Sequence, residues 1–255
     1  MKKTILILFT LLLSMPVLAQ SFKLTEYGDT INFTDANGVK QGLWEEMERN
    51  QKIAGHYVDG VKEGIWKKYH TKGFLAKLEI YKNGVLDGLY LSIDRRGYLT
   101  AEKYYRDGKL HGLAVNYKFG GNPSRKITYD MGVKTGMAQI FYENGKLQEE
   151  AYYKNDQRDS ITRWFDMKGN MIAEFNYVNG NFEGIQKTFH ENDSLSTVQY
   201  YEDNVAIGDY IEYFENGKVK IRGFYKDGKK DGKWTEYNEE GEVIKTTKFK
   251  NGEEQ

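Results

Sequence analysis

Apolar and polar positions along this chain repeat with a period of 24 residues, and the unit begins nine times from Gly42 onward. We number each repeat from its first residue, position 0; the first repeat is two residues shorter than the others. Position 0 is occupied by Gly42, Gly64, Gly88, Gly112, Gly136, Ser160, Gly184, Gly208 and Gly232. A fixed period of this length indicates a stacked-repeat architecture rather than a single globular core.

Four positions of the repeat are mainly apolar. Position 5 is apolar or aromatic in every repeat, as at Tyr69, and position 17 is aromatic in every repeat, as at Tyr81. Positions 1 and 11 are apolar in most repeats, as at Ile65 and Leu75. We expect these four positions to form the core.

Two turn signals separate the apolar positions. Position 9 is usually glycine. Position 20 is glycine except at Asp156 and Asn204, and the residue before it is Asp or Asn in eight of the nine repeats. Because Asp and Asn tolerate positive φ better than other residues with a side chain, position 20 is predicted to be left-handed. Each repeat is thus a pair of short strands in a β-hairpin array.

The loop length decides which side chains share a face. A two-residue Asn-Gly loop would place position 17 opposite positions 1 and 5, because side chains alternate along a strand. A three-residue loop closed by a left-handed glycine, used at both turns, places positions 1, 5, 11 and 17 together. We predict the three-residue loop at both turns, and an all-β, elongated array of antiparallel β-hairpin repeats, either a single-layer twisted sheet or a solenoid.

The first 19 residues have the three parts of a secretory signal peptide: basic Lys2 and Lys3, an apolar run, and a small-residue ending at Ala19. We therefore expect cleavage after Ala19 and export to the periplasm, the cell surface or the medium. Residues 20–41 are expected to cap the array, and residues 42–255 to form nine repeats.

Composition and charge exclude several kinds of function. The chain has 37 basic and 37 acidic residues, so removal of Lys2 and Lys3 leaves 35 against 37, a net charge of −2. Nothing in this balance provides the basic patch that nucleic acids need. The absence of cysteine excludes disulfides and a lipid-modified cysteine. The histidines lie in different repeats at unrelated positions, so we expect no metal, no cofactor and no enzyme activity; they are His56, His70, His111 and His190.

One set of aromatic residues exceeds what the predicted core needs. On the face opposite the four core positions we expect position 2 together with position 16, and position 2 carries Trp44, Trp66, Tyr90, Tyr210 and Trp234. The exposed face of a one-sided sheet is normally polar. These residues are either a second core, buried if the ribbon coils, or candidate binding residues for a partner.

The runs at residues 81–90 (YKNGVLDGLY) and 225–234 (YKDGKKDGKW) resemble the MORN repeat variant of bacterial exported proteins. The resemblance extends over about residues 42–255 and implies a non-catalytic hairpin array for protein or membrane interaction; some such proteins are described as antitoxin or immunity components. Position 2 departs from the family pattern, which favours a second glycine there, and this together with the neutral charge argues against lipid binding. We expect an exported scaffold that binds another protein. The alternative is a glycan- or cell-wall-binding repeat protein that uses the aromatic face.

Overall fold

A computed structural model describes residues 20–255 of the protein. This part of the chain forms one open sheet of 23 antiparallel strands and contains no helix. The predicted all-β array of hairpins is therefore confirmed. The predicted signal peptide, residues 1–19, lies outside the described residues.

The strands follow the repeats, with two long strands in each repeat and two-residue strands only at β9, β16 and β23. Their bounds are β1 (Ser21–Leu24), β2 (Thr30–Thr34), β3 (Lys40–Glu48), β4 (Gln51–Val58), β5 (Val61–Tyr69), β6 (Leu75–Lys82), β7 (Val85–Ile93), β8 (Leu99–Arg106), β9 (Lys109–Leu110), β10 (Gly112–Tyr117), β11 (Pro123–Asp130), β12 (Val133–Phe141), β13 (Leu147–Lys154), β14 (Gln157–Phe165), β15 (Met171–Val178), β16 (Asn181–Phe182), β17 (Gly184–Phe189), β18 (Leu195–Glu202), β19 (Val205–Tyr213), β20 (Val219–Lys226), β21 (Lys229–Tyr237), β22 (Val243–Lys250) and β23 (Glu253–Glu254).

Neighbouring strands in the chain are neighbours in the sheet. Strand β8 pairs with both β9 and β10, because β9 and β10 are one strand interrupted at a single site. Strand β15 pairs with β16 and β17 for the same reason. The segment 20–41 contributes β1 and β2, and β2 pairs with β3 at the start of the first repeat. The described residues form a continuous meander in which each long strand mainly contacts the strands before and after it in the sheet.

The turn at position 9 has the predicted three-residue form. The Gly73 N–H donates to the His70 carbonyl at 2.8 Å, and the His70 N–H donates to the Phe74 carbonyl at 2.8 Å. Gly73 closes the loop with φ of 87°, and Asp193 takes the same conformation with φ of 64° where glycine is missing. This part of the prediction is correct from the second repeat on. In the shorter first repeat Glu48 pairs directly with Gln51, so the loop has only two residues, Arg49 and Asn50.

The turn at position 20 is a two-residue loop instead. Lys82 pairs directly with Val85, which leaves only Asn83 and Gly84 in the loop. Both have positive φ, 50° and 81°, as a type I′ turn requires. The Asn83 N–H also donates to the Glu63 carboxylate at 2.6 Å, which joins the turn to the preceding repeat.

Position 20 is left-handed, as predicted. Asp156 and Asn204, which replace glycine there, have φ of 65° and 67°. The predicted three-residue loop at this turn is wrong. Both residues of an Asp/Asn-Gly pair tolerate positive φ, so these two residues are enough to close the turn.

The shorter loop changes which residues share a face. Tyr81 pairs with Leu86 and Glu79 pairs with Tyr90, so Ile80 lies opposite a bulge at residues 87–89. The bulge holds Gly88 at positive φ of 128°. Because the bulge adds two residues to its strand, an even number, the alternation of side chains between the faces continues across it. Position 17 therefore lies on the same face as position 2, and positions 1 and 5 lie on the opposite face. The prediction that positions 1, 5, 11 and 17 share one face is therefore wrong.

We name the two faces by their side chains. The stacked face carries positions 2, 15, 17 and 22, as at Trp66, Glu79 and Tyr81. The open face carries positions 1, 3, 14 and 16, as at Ile65 and Ile80, which pair with each other. Position 16 thus lies with position 1, and its predicted place beside position 2 is also wrong.

Candidate interaction surface

The stacked face buries large side chains although the sheet has a single layer. Trp66 is 3% exposed because its indole lies flat over Gly55 of the preceding strand, where a Cβ would come within 2.3 Å of Trp66 Cδ2. The Trp66 Nε1–H donates to the His56 carbonyl at 3.1 Å. Tyr57 meets the indole edge to face, with ring centroids 4.9 Å apart. The glycine therefore provides a socket for the tryptophan.

The same arrangement recurs at the other end of the array. Trp234 is 6% exposed and lies over Gly223, where a Cβ would be 2.2 Å from Trp234 Cδ2. Tyr210 stacks on the indole with centroids 5.4 Å apart, and Tyr225 meets it edge to face at 5.2 Å. Burial, and then the neighbouring Glu212 carboxylate, raise the pKa of Tyr210 to about 12. A tryptophan at position 2 with glycine at position 15 of the preceding repeat forms this socket.

Lysines at position 22 cover both tryptophans. The Lys62 Nζ lies 4.3 Å from the Trp66 ring centroid, and the Lys230 Nζ lies 4.2 Å from that of Trp234. An ammonium group over an aromatic face is attracted by the ring quadrupole, and the lysine stem shields apolar surface from water. Sequence reasoning missed position 22, because it lies close to the turn and its residue type varies from one repeat to the next.

The middle repeats fill the same row with smaller or polar side chains. Position 2 holds Ala114, Ala138, Thr162 and Gln186, all buried, and position 15 holds Ile127, Ala151, Phe175 and Gln199. The larger residues Ile127 and Phe175 pair with Ala138 and Thr162, and the small Ala151 lies between Ala138 and Thr162. The Thr162 Oγ1 is fully buried without a hydrogen-bond partner. The interruption of the aromatic column is therefore a change of packing within one continuous row.

Arg158 occupies position 22 in this middle part. Its guanidinium forms an ion pair with Glu149 and lies 5.7 Å from the Trp164 ring centroid and 5.8 Å from that of Tyr177. Burial alone would lower the pKa of Arg158, but the hydrogen bond and the charge of Glu149 raise it. The arginine thus takes the covering role that the lysines have at the ends.

The five predicted site residues all lie on the stacked face. Trp66 and Trp234 are buried, and Trp44, Tyr90 and Tyr210 are half-buried. The Trp44 Nε1–H donates to the carbonyls of Phe33 and Gln41, both at 3.1 Å. The five residues belong to one packed row along the array. Their role in binding stays a prediction, and their geometry is that of a core.

The open face carries a second apolar row, which remains exposed. Positions 1 and 16 alternate along it, and its exposed members are Ile65, Tyr104, Leu113, Met137, Tyr152, Ile185, Tyr200 and Phe224. The row ends in the last repeats, where Asp209, Lys233 and Lys248 take these positions. Beside it, positions 3 and 14 form an ion-pair ladder in which Arg163 contacts Glu174 at 2.9 Å and Glu174 contacts Lys187 at 3.3 Å.

A groove of about 590 Å³ interrupts the apolar row between β14 and β18. Its apolar lining includes Ile161, Ile185 and Tyr200, and its rim includes the carboxylates of Asp159 and Glu183. Asn176 creates the gap: it stands at position 16, where Tyr152 and Tyr200 stand in adjacent repeats, and donates to the Ile185 carbonyl instead of projecting over the sheet. A sequence signal existed, because position 16 is Asn176 here and tyrosine in the repeats on either side.

The histidines serve the joints between repeats. His70 and His190 occupy the same position 6, so the expectation of unrelated positions was wrong, and each contacts the position 5 carbonyl of the next repeat at 2.9 Å. Within residues 20–255, no group of three or more His, Asp or Glu side chains is placed to hold a metal ion. The same residues include no helix with the length and apolarity that a membrane span requires.

Comparison with known families supports the repeat assignment. Residues 134–155, 207–227 and 230–251 each match the family model described as MORN repeat variant. Each matched segment is one hairpin, from position 22 or 23 to the first residue of the two-residue turn, and the last two contain Tyr210 and Trp234. MORN repeats are generally non-catalytic repeats for protein or membrane interaction. No curated protein matches the chain.

Proposed function

We propose that the protein is a non-catalytic, exported repeat scaffold that binds another protein through its open face. The observation that carries this proposal is the exposed apolar row of positions 1 and 16, because contiguous exposed apolar surface commonly marks an interaction site. Export rests on the sequence pattern of residues 1–19. An intact-mass measurement of the native protein that begins at Gln20 would support it, and retention of Met1 would contradict it.

The centre of the proposed contact is the groove beside Asn176. Its floor is apolar and its rim is polar, which is the usual anatomy of a protein interface. It crosses four strands, a width of about 14 Å at 4.8 Å per strand, which matches about four extended residues of a partner. A tyrosine at Asn176 would fill it, since tyrosine occupies the equivalent position at Tyr152 and Tyr200.

The test uses Asn176→Tyr and, as a matched control, Thr128→Tyr at position 16 two repeats earlier. Both variants introduce the residue that neighbouring repeats already hold, so both are expected to fold with nearly unchanged melting temperatures. The immobilised proteins are incubated with a chemically cross-linked native envelope fraction. We expect a partner protein that wild type and Thr128→Tyr retain and Asn176→Tyr loses. Equal retention by all three proteins, or no partner with any of them, would contradict the proposal.

A further inference from the structure

The stacked face has a cavity between repeats 7 and 8. This cavity of about 470 Å³ is bounded by Phe182, Tyr201, Tyr210 and Tyr225, with Gln186, Gln199, Thr188 and Thr197 beneath them. Its volume lies within the range of small-molecule sites, roughly 300–1,000 Å³. Aromatic walls around a floor of amide and hydroxyl groups occur here and not over the two tryptophan sockets.

Two substitutions within the repeat pattern produce the opening. Position 22 is Ala206, whereas the equivalent Lys62 and Lys230 lie over the rings of Trp66 and Trp234. Position 2 of the same repeat is Gln186, where the ends of the array carry tryptophan. The row therefore lacks a ring at Gln186 and a long side chain over Tyr210. The Phe182 ring, 5.4 Å from that of Tyr201, bounds one side of the gap, and Tyr210, which stacks on Trp234, bounds the other.

The floor contains an unused hydrogen-bond acceptor. Gln199 is 7% exposed, and its Nε2 donates to the carbonyls of Tyr200 at 2.8 Å and Ile207 at 2.9 Å. Its Oε1 has no partner among the described residues. A buried polar atom without a partner is costly, and an O–H group of a ligand that reaches it would remove that cost. Gln186, by contrast, is fully engaged with the backbone of Asn176 and Glu183.

We propose that this cavity is a saccharide-binding site, in which a pyranose ring takes the place of the missing aromatic ring. The C–H groups on one side of a pyranose carry partial positive charge and pack against the negative face of an aromatic ring. Its hydroxyls reach the Gln199 Oε1 and the side-chain hydroxyls of Tyr201 and Tyr225. This site is separate from the open-face groove and goes beyond the protein-binding function proposed above.

The test closes the cavity with the residue that the next repeat uses. Ala206→Lys would place over Tyr210 the cover that Lys230 places over Trp234, and Leu110→Lys makes the same change at position 22 four repeats earlier as a control. Chitotriose, maltotriose and cellotriose are titrated into mature wild-type protein by calorimetry. We expect at least one to bind, with an affinity reduced at least tenfold by Ala206→Lys and changed less than twofold by Leu110→Lys.

A second variant protects the test from a folding artefact. Gln199→Met keeps the length of the side chain and removes its amide, and we expect it also to weaken binding tenfold, with circular dichroism unchanged. Asn176→Tyr fills the open-face groove and should leave saccharide binding intact. A failure of the protein-binding proposal can therefore be distinguished from a failure of the saccharide proposal. No binding of any of the three sugars at millimolar concentration, binding that Ala206→Lys does not change, or binding of indole in preference to the sugars would overturn the inference.

Discussion

The two ends of the array and its middle use the same backbone but pack it differently. At the ends, Trp66 and Trp234 each fill a glycine socket beneath a lysine. In the middle, the row narrows to alanine, threonine and glutamine, and the buried oxygens of Thr162 and Gln199 lack partners. The groove on the open face and the cavity on the stacked face lie between residues 159 and 228.

This difference indicates that the ends mainly stabilise the array, whereas the middle carries the candidate sites. In such arrays, stability is approximately a sum of repeat and neighbour terms, so strongly packed ends can support less optimised repeats between them. Non-glycine residues in left-handed positions normally reserved for glycine also concentrate there: Asp156, Ser160, Asp193 and Asn204 have φ between 64° and 67°. Backbone strain of this kind commonly accompanies functional sites.

The largest expected effect comes from removal of a socketed tryptophan. Trp234→Ala should lower the free energy of unfolding by about 3–5 kcal/mol, because a buried aromatic side chain is lost and a cavity remains. The matched control is Phe224→Ala, an aromatic residue in the adjacent strand that is exposed on the open face. Urea denaturation should show a small change for the control. Similar losses for the two variants would contradict the distinction between the faces.

The glycine of the socket should come next. Gly223→Ala places a methyl group where Trp234 Cδ2 would lie 2.2 Å away, so the indole must move. Overpacking of this kind typically costs about 1–3 kcal/mol. Arg222→Ala, at the neighbouring open-face residue, is the control and should be close to neutral. The intrinsic fluorescence of Gly223→Ala should also shift to the red as Trp234 becomes exposed, and an unchanged spectrum would argue against the socket.

Sequence reasoning reached the period, the hairpins and the left-handed position 20, because each has a strong local signal in glycine, aspartate and asparagine. The failure came at one loop. A three-residue loop at Asn83-Gly84 was preferred because it aligned four apolar columns, and it placed positions 1 and 17 on one face. The bulge at Gly88, which depends on pairing between repeats, allows the two-residue loop and reverses that assignment.

The candidate site was harder to predict for the same reason. The face assignment placed Trp44 and Trp66 opposite the four core positions, so the sequence left open whether they form a second core or a binding surface. The burial of Trp66 depends on Gly55 of the neighbouring strand and on Lys62, which lies on the far side of the bulge in its own strand. Both contacts are recognisable only with the correct register. The groove and the cavity arise where Asn176 and Ala206 are smaller than their equivalents, and the sequence pattern alone does not rank such single departures.

The smallest expected effect is a gain of stability in the middle. Thr162→Val removes a buried hydroxyl without a partner and keeps the shape of the side chain, so we expect stabilisation by about 1 kcal/mol. Thr188→Val is the matched control in the next repeat, since its hydroxyl pairs with that of Thr197 at 2.6 Å, and it should destabilise. Thermal melts that moved in the same direction for both variants would contradict the packing described for Thr162.

The assignment of the two faces is tested most directly by cysteine accessibility, because the native chain contains no cysteine. Leu113 and Ala114 are adjacent residues of β10, and their exposed fractions are 46% and 6%. Leu113→Cys and Ala114→Cys are each treated with a thiol reagent under native conditions and in urea. We expect Leu113→Cys to react at nearly the same rate in both, and Ala114→Cys to react only when the protein unfolds. The opposite result, a reactive Cys at 114 and a protected one at 113, would show that position 1 belongs to the core and contradict the account.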